Sequence, residues 1–182
     1  MHGILFTELR KYVSVKFGKA AWDDLLKNAG LGTKRFMPFD VYPDDEMALL
    51  VEKASTMTGQ PAADILEDFG VFITPDLLLM YQGLVQPEWR TLDVIEHTEA
   101  VIHTVVREQK PGAQPPELVS QRLNADEVMI TYGSSRKMCA VAKGIIKGLA
   151  EHYKEKVAIT ESSCMLEGGS NCVISVKSLK SF

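Results

Sequence analysis

Glu127-Val128-Met129-Ile130-Thr131-Tyr132-Gly133-Ser134-Ser135-Arg136 decides how the C-terminal half is read. Its first five residues are apolar or β-branched at most positions, which predicts a strand over 127–131. Tyr132, Ser134 and Arg136 follow at every second position. In extended backbone that spacing sends all three side chains off one face, successive ones roughly 7 Å apart. Two hydroxyls and a guanidinium fork in a row form a receptor for a carboxylate or a phosphate. The plain alternative is a solvated strand face. Working outward, strands are predicted over 118–123, 156–162 and 172–178, with a helix over 137–154 between the second and third of the four. Glu167-Gly168-Gly169-Ser170-Asn171 is turn sequence and makes the last two strands a hairpin.

The N-terminal half reads differently. Leu5, Leu9, Val13 and Phe17 recur at helical spacing before Gly18, and a second helix over 20–28 ends at Gly30 and Gly32. Asp44-Asp45-Glu46 places negative charge where a third helix through Ala54 begins. Pro61 and Pro75 each suit the first turn of a further helix, because proline lacks the amide hydrogen that this turn leaves unused. Thr91 reads as the cap of a long helix through Leu92, Ile95, Val101, Ile102, Val105 and Val106, stopped by Pro111-Gly112. The expected fold class is α+β: a helical N-terminal lobe, then a C-terminal lobe with a mainly antiparallel sheet of about four strands.

Composition limits the function. The 182 residues carry 24 acidic and 20 basic side chains, a net charge of −4, which argues against a nucleic-acid binder. The length suits one domain over 1–182. No uncharged apolar run of about 18 residues predicts a membrane span. The opening reaches Glu8 before any long apolar run, so it does not read as a signal peptide, and a cytoplasmic location is expected. No P-loop, GxSxG or HExxH pattern occurs.

His103 lies among Val101, Ile102, Val105 and Val106, where an imidazole either fills a core or ligates a metal. His97 is six residues earlier, and six steps of about 100° put the two rings on different faces. They cannot chelate one ion together. As a ligand, His103 would act alone, which points to a pre-assembled cofactor such as heme. His2, His97 and His152 read as surface or capping residues. Gly144 and Gly148, four apart on a helix, suggest close packing against a neighbour.

Met1-x-Gly3-Ile4, the helical His103, Gln114-Pro115-Pro116 and Tyr132-x-Ser134-x-Arg136 together resemble the H-NOX family of heme nitric oxide/oxygen-binding domains, over essentially the whole chain. The resemblance implies heme b, ferrous protoporphyrin IX, buried between a distal helical lobe of about 1–60 and a heme-bearing lobe of about 61–182. His103 would be the proximal iron ligand, Tyr132, Ser134 and Arg136 would bind the two propionates, and Pro116 would press on the porphyrin. An acid of the 44–46 run would pair with Arg136 across the lobes. Oxygen-binding members carry a tyrosine five residues after the motif's arginine, where this sequence has Val141; the associated distal positions are Leu9 and Ile73. None of the three side chains donates a hydrogen bond. The resemblance therefore implies a sensor, not an enzyme, that binds nitric oxide, excludes oxygen and takes carbon monoxide incidentally. Its output would pass to a separate protein such as a histidine kinase or a cyclic-di-GMP enzyme, with no nucleic acid or membrane involved.

Cys164 and Cys172 flank the Gly168-Gly169 turn, and Cys139 starts the helix between strands. Three thiolates need one further ligand for tetrahedral zinc. Nitric oxide-sensing relatives in bacteria carry three cysteines and a histidine at matching places, and here the histidine's position is Glu161. Zinc held by Cys139, Glu161, Cys164 and Cys172 stands beside reduced structural thiols and a Cys164/Cys172 redox pair. Two other functions stay open: a zinc/thiol redox regulator of a signalling partner, and a heme-free module whose Tyr132/Ser134/Arg136 face binds an anion.

Overall fold

The computed structural model describes residues 1–109 and 112–179. Its first half is four helices: α1 Gly3–Phe17, α2 Lys19–Asn28, α3 Asp44–Thr58 and α4 Ala62–Met80. They enclose one apolar core around Phe6, Leu9, Tyr12, Trp22, Met47, Leu50, Phe69 and Ile73. Gly3 is required where α1 starts, because a Cβ there would overlap the Met37 carbonyl.

A second core forms where α5 Thr91–His97 and α7 Cys139–Tyr153 pack on a four-stranded sheet. The strands are β1 Glu117–Asn124, β2 Glu127–Gly133, β3 Lys156–Ser163 and β4 Cys172–Leu179, in the order β1-β2-β4-β3, every pair antiparallel. This is the expected α+β class, and β3 and β4 form the expected hairpin. Alternation along β2 buries Val128, Ile130 and Tyr132, which pair across to Val176, Ile174 and Cys172. The strand period thus points the first residue of the Tyr132/Ser134/Arg136 row into the interior, opposite a cysteine. β1 ties α5 down through Arg122, which reaches Glu96 at 2.9 Å and Asp93 at 2.5 Å.

Four local expectations need correction. Pro75 does not start a helix; it lies inside α4. Proline removes the bond to the Val71 carbonyl, yet the helix continues because its flank is buried against α7, and that carbonyl lies 3.1 Å from where a Cβ of Gly148 would stand. Pro61 is the N-cap residue, one position before the first turn. Thr91 is not a cap either: Arg90 holds that position, its amide donating to Asp93 at 2.9 Å, while the Thr91 amide donates to Glu155 at 3.1 Å. The long helix divides into α5, a π-helical segment Thr98–His103 and α6 Thr104–Gln109. Of its expected stop, Pro111 lies outside the described residues.

α4 and α7 join the two cores. A Cβ on Gly144 would stand 2.8 Å from the Gly70 Cα and overlap the Glu67 carbonyl, and one on Gly148 would overlap the Thr74 hydroxyl. The expected close packing at Gly144 and Gly148 is therefore against α4, on its backbone at Gly144 and on the Thr74 side chain at Gly148. Gly144→Ala is expected to lower unfolding free energy by about 3 kcal/mol, the upper end for overpacking, in urea denaturation. Gly83→Ala, with nothing near its Cβ position, should stay within about 0.5 kcal/mol.

Candidate functional site

His103 ends the π-helical segment, where the amide of Thr104 bonds back five residues to the Glu99 carbonyl. The same turn supplies the ring's partner: His103 Nδ1 lies 2.9 Å from Glu99 Oε2. Arg107 donates to the other oxygen of Glu99 at 2.7 Å, and the Leu118 amide donates to Oε2 at 3.1 Å. Burial would raise the Glu99 carboxyl, but these donors bring it below its usual value. Burial holds His103 below the ordinary imidazole value despite Glu99. The Pro116 backbone carbonyl also faces the ring; in the neutral form that burial favours, Nδ1–H donates to Glu99 and Nε2 carries the lone pair. That is the electronic state of a metal ligand oriented by a carboxylate. Glu99 was not singled out in the sequence; its spacing of four from His103 on a helical face is the signal that finds it.

The ring lines a cavity of about 100 Å³ with Pro116, Tyr132, Ile145, Ile146 and Ile174. Burial raises the Tyr132 phenol to about 12, so it stays protonated beside Ser134. Ser134 Oγ accepts the Arg136 amide at 3.3 Å. Ser134 and Arg136 line the adjoining groove with Gln114 and Pro115. Arg136 donates through Nη1 to the Gln114 carbonyl, and its Nε lies 2.9 Å from Asp44 Oδ1. The Nε–H is not aligned with that oxygen, so a buried donor is left without an acceptor. Asp44 also lies 2.7 Å from the Met1 ammonium. One carboxylate at the start of α3 thus bridges the helical half to the loop after β2.

A model of the family described as Haem-NO-binding matches residues 2–161. The chain belongs to this H-NOX family. No curated protein matches it. Among solved structures it is similar to an H-NOX protein from S. oneidensis in the Fe(II)NO state, with 23% identity, a TM-score of 0.92 and coverage of 99% of this chain and 100% of that one. It is also similar to Fe(II) unliganded H-NOX from K. algicida (23%, 0.89, 100% and 98%) and to a mutant of T. tengcongensis H-NOX (22%, 0.86, 99% and 98%). At these identities the likenesses bear on the fold. For the group that H-NOX domains bind, the donor set fits: an imidazole held at Nδ1 by a carboxylate and a phenol line an apolar cavity, and a guanidinium with an unaligned N–H lines the groove beside it.

Among the described residues, the three positions matched to the H-NOX distal side do not line the His103 cavity. Leu9 and Ile73 are buried in the first core, and Val141 packs against it. Ile145, one turn after Val141 on α7, packs against both cores. Leu9 instead borders a separate apolar cavity of about 200 Å³ with Val13, Leu50 and Ile65.

The cysteines converge. Cys139 begins α7, Cys164 follows β3, and Cys172 begins β4. Their sulfurs are 3.8 Å apart for both Cys139/Cys164 and Cys172/Cys164, and with a Glu161 oxygen the four ligand atoms lie within 4.8 Å of one another. All three thiols are free. Burial pushes Cys139 up to about 12 and raises Cys172. Burial would also raise Glu161, but Lys143, at 2.8 Å, brings it below its usual value. Lys143 is the second residue that sequence reading missed; its spacing of four from Cys139 puts both on one face of α7.

No helix among the described residues is long and apolar enough to cross a membrane. Burial alone would raise Asp44, yet the Met1 ammonium and Arg136 hold it below the ordinary carboxylate value. Its contribution to stability is thus present above about pH 4 and lost as pH falls through the lowered value. Asp44→Asn is expected to flatten the acid limb of stability, measured as urea midpoints between neutral pH and pH 3.

Proposed function

We propose that this chain is a heme-based gas sensor that binds nitric oxide at ferrous iron, excludes oxygen and is not an enzyme. The observation that carries the reading is His103 Nδ1 held by Glu99 at 2.9 Å beside a cavity shared with Tyr132. Residues 1–60 would form the distal lobe and 61–182 the heme-bearing one. When bound, heme would be held by His103 and would supply a ferrous iron to which nitric oxide binds.

The chain's own residues would do the rest. His103 Nε2 would hold the iron, with Glu99 fixing the ring's tautomer and tilt. Tyr132, Ser134 and Arg136 would donate to the propionates, for which Arg136 has its unaligned Nε–H. Pro116, in the cavity wall beside His103, would press on the macrocycle. Sites for small molecules span about 300–1,000 Å³, so heme uptake would part the walls of the cavity, which are largely aliphatic. Leu9, Ile73 and Val141 do not line the cavity as it stands and would meet a gas only once heme had parted its walls; none offers a side-chain hydrogen bond, on which binding of dioxygen depends more than that of nitric oxide. Carbon monoxide would bind incidentally.

Glu99 ties His103 to the π-helical segment and Asp44–Arg136 ties the two lobes together, so a change in the seating of His103 would be passed on as a shift of one lobe against the other. Such a shift signals only if a partner binds the two states with different affinity. We place that partner in a separate protein, such as a histidine kinase or a cyclic-di-GMP enzyme, from the family resemblance. The second reading, a zinc/thiol regulator, is favoured by the sulfur cluster: zinc on Cys139, Glu161, Cys164 and Cys172.

Absorption spectra of the reduced protein test the first reading. A Soret band is expected to move on adding nitric oxide and to stay put under oxygen. His103→Gly is expected to lose heme unless imidazole is supplied, and heme retained without imidazole would overturn the ligand assignment. Val141→Tyr is expected to introduce measurable oxygen affinity. An unchanged gas response after replacing all three cysteines would set aside the thiol reading.

A further inference from the structure

The fourth member of the cysteine cluster differs in charge from the histidine expected there, and it comes with a counter-charge. Glu161 gives Oε2 to Lys143 Nζ at 2.8 Å, whereas Oε1 is buried and receives no hydrogen bond. The pair is partly buried, with side-chain exposures of 25% and 19%. Lys147, one turn further along α7, behaves differently: it is 48% exposed and turns out to Glu67. Lys143 instead turns in, toward the face that carries Cys139. The Glu161 carboxylate faces the Cys164 and Cys172 thiols, and with Cys139 the four ligand atoms lie within 4.8 Å of one another, a donor set that suits a thiophilic cation.

We propose that Lys143 is a positioning residue for a divalent, thiophilic cation such as zinc: it holds Glu161 by one oxygen, leaves the other for the metal, and offsets the negative charge the carboxylate adds. This rests on the metal reading above. On binding, the three thiols lose their protons to solvent and four bonds form, three from sulfur and one from Glu161. Three thiolates and a carboxylate around a divalent ion leave a double negative charge. The ammonium reduces it to a single one, the charge that three thiolates and a neutral imidazole carry unaided. In a partly buried site that difference is felt strongly. An ammonium is also the right counter-ion here, since it has no lone pair while protonated and cannot compete for the metal.

The test is zinc affinity of the purified, thiol-reduced chain, read by competition with a chromophoric chelator, with a thermal melt of each metal-free variant to show that it folds. The unaltered chain is expected to bind one zinc. Lys143→Met is expected to weaken binding by about 10- to 100-fold, the range for loss of a residue that orients a metal ligand, and Lys143→Arg to stay within a few-fold of the unaltered chain. In a Glu161→His background, where no extra charge needs offsetting, Lys143→Met is expected to cost less than about threefold, and cobalt in place of zinc should give a tetrahedral thiolate spectrum. A Lys143→Met affinity within twofold of the unaltered chain overturns the role of Lys143 and leaves the metal site standing. An equal loss in the Glu161→His background reduces Lys143 to general support of α7. No zinc uptake by the reduced, unaltered chain overturns the metal reading itself, and this inference with it.

Discussion

Backbone contact between α4 and α7 is the constraint on which the remaining structure depends. At Gly70, Gly144 and Gly148 there is no room for a side chain between the helices. Apolar side chains on either flank then close two separate cores, one among α1 to α4 and one against the sheet. Because α7 is locked to α4 along one stripe, its other faces are aimed. Cys139 and Lys143 turn toward the β3–β4 hairpin, Val141 toward the helical core, and Ala142, Ile146 and Leu149 toward the His103 cavity. One helix therefore carries the wall of the candidate heme site and one ligand of the candidate metal site. A shift in its seating reaches both.

Around that beam the polar groups form two small networks. Glu99 takes donors from His103, Arg107 and Leu118 and so joins the π-helical segment to α6 and to the start of β1. Asp44 takes Arg136 and the Met1 ammonium and joins the helical half to the loop after β2. Each has a carboxylate at its centre whose pKa burial alone would raise and whose partners bring below the ordinary value. They tie segments far apart in the chain, which apolar packing, being non-directional, does not orient by itself.

Much of this was legible in the sequence because period and punctuation are local. The 127–131 strand, the hairpin around Gly168-Gly169 and the helix after Arg136 come from alternation, turn residues and apolar spacing, and the strand pairing that sets Tyr132 against Cys172 comes once the hairpin is placed. The approach of Cys164 to Cys172 was legible from the turn between them, whereas the place of Cys139 beside them came from the family resemblance. What the sequence concealed depends on partners distant in the chain. Pro75 signals a helix start by its chemistry, but burial of α4 against α7 overrides it. Thr91 looks like a cap, yet Glu155, 64 residues later, takes its amide. Lys143 and Glu99 look like solvated helix charges until their neighbours are in place. The placement of Leu9, Ile73 and Val141 away from the His103 cavity depends on how closely two helices approach, which no local pattern encodes.

The π-helical turn at 98–103 has an arithmetic consequence. It holds one residue more than the α-helical path on either side requires, because the Thr104 amide reaches back to Glu99 instead of the residue after it. Removing that residue would return the stretch to an unbroken α-helix and leave the turns on either side facing as they do, because the wide turn takes up the extra residue within a single revolution. Only the side chains inside the turn, the imidazole among them, would be redistributed around the rod. The wide turn acts as a vernier: it sets the azimuth of one ring independently of the packing that anchors the rest of the rod.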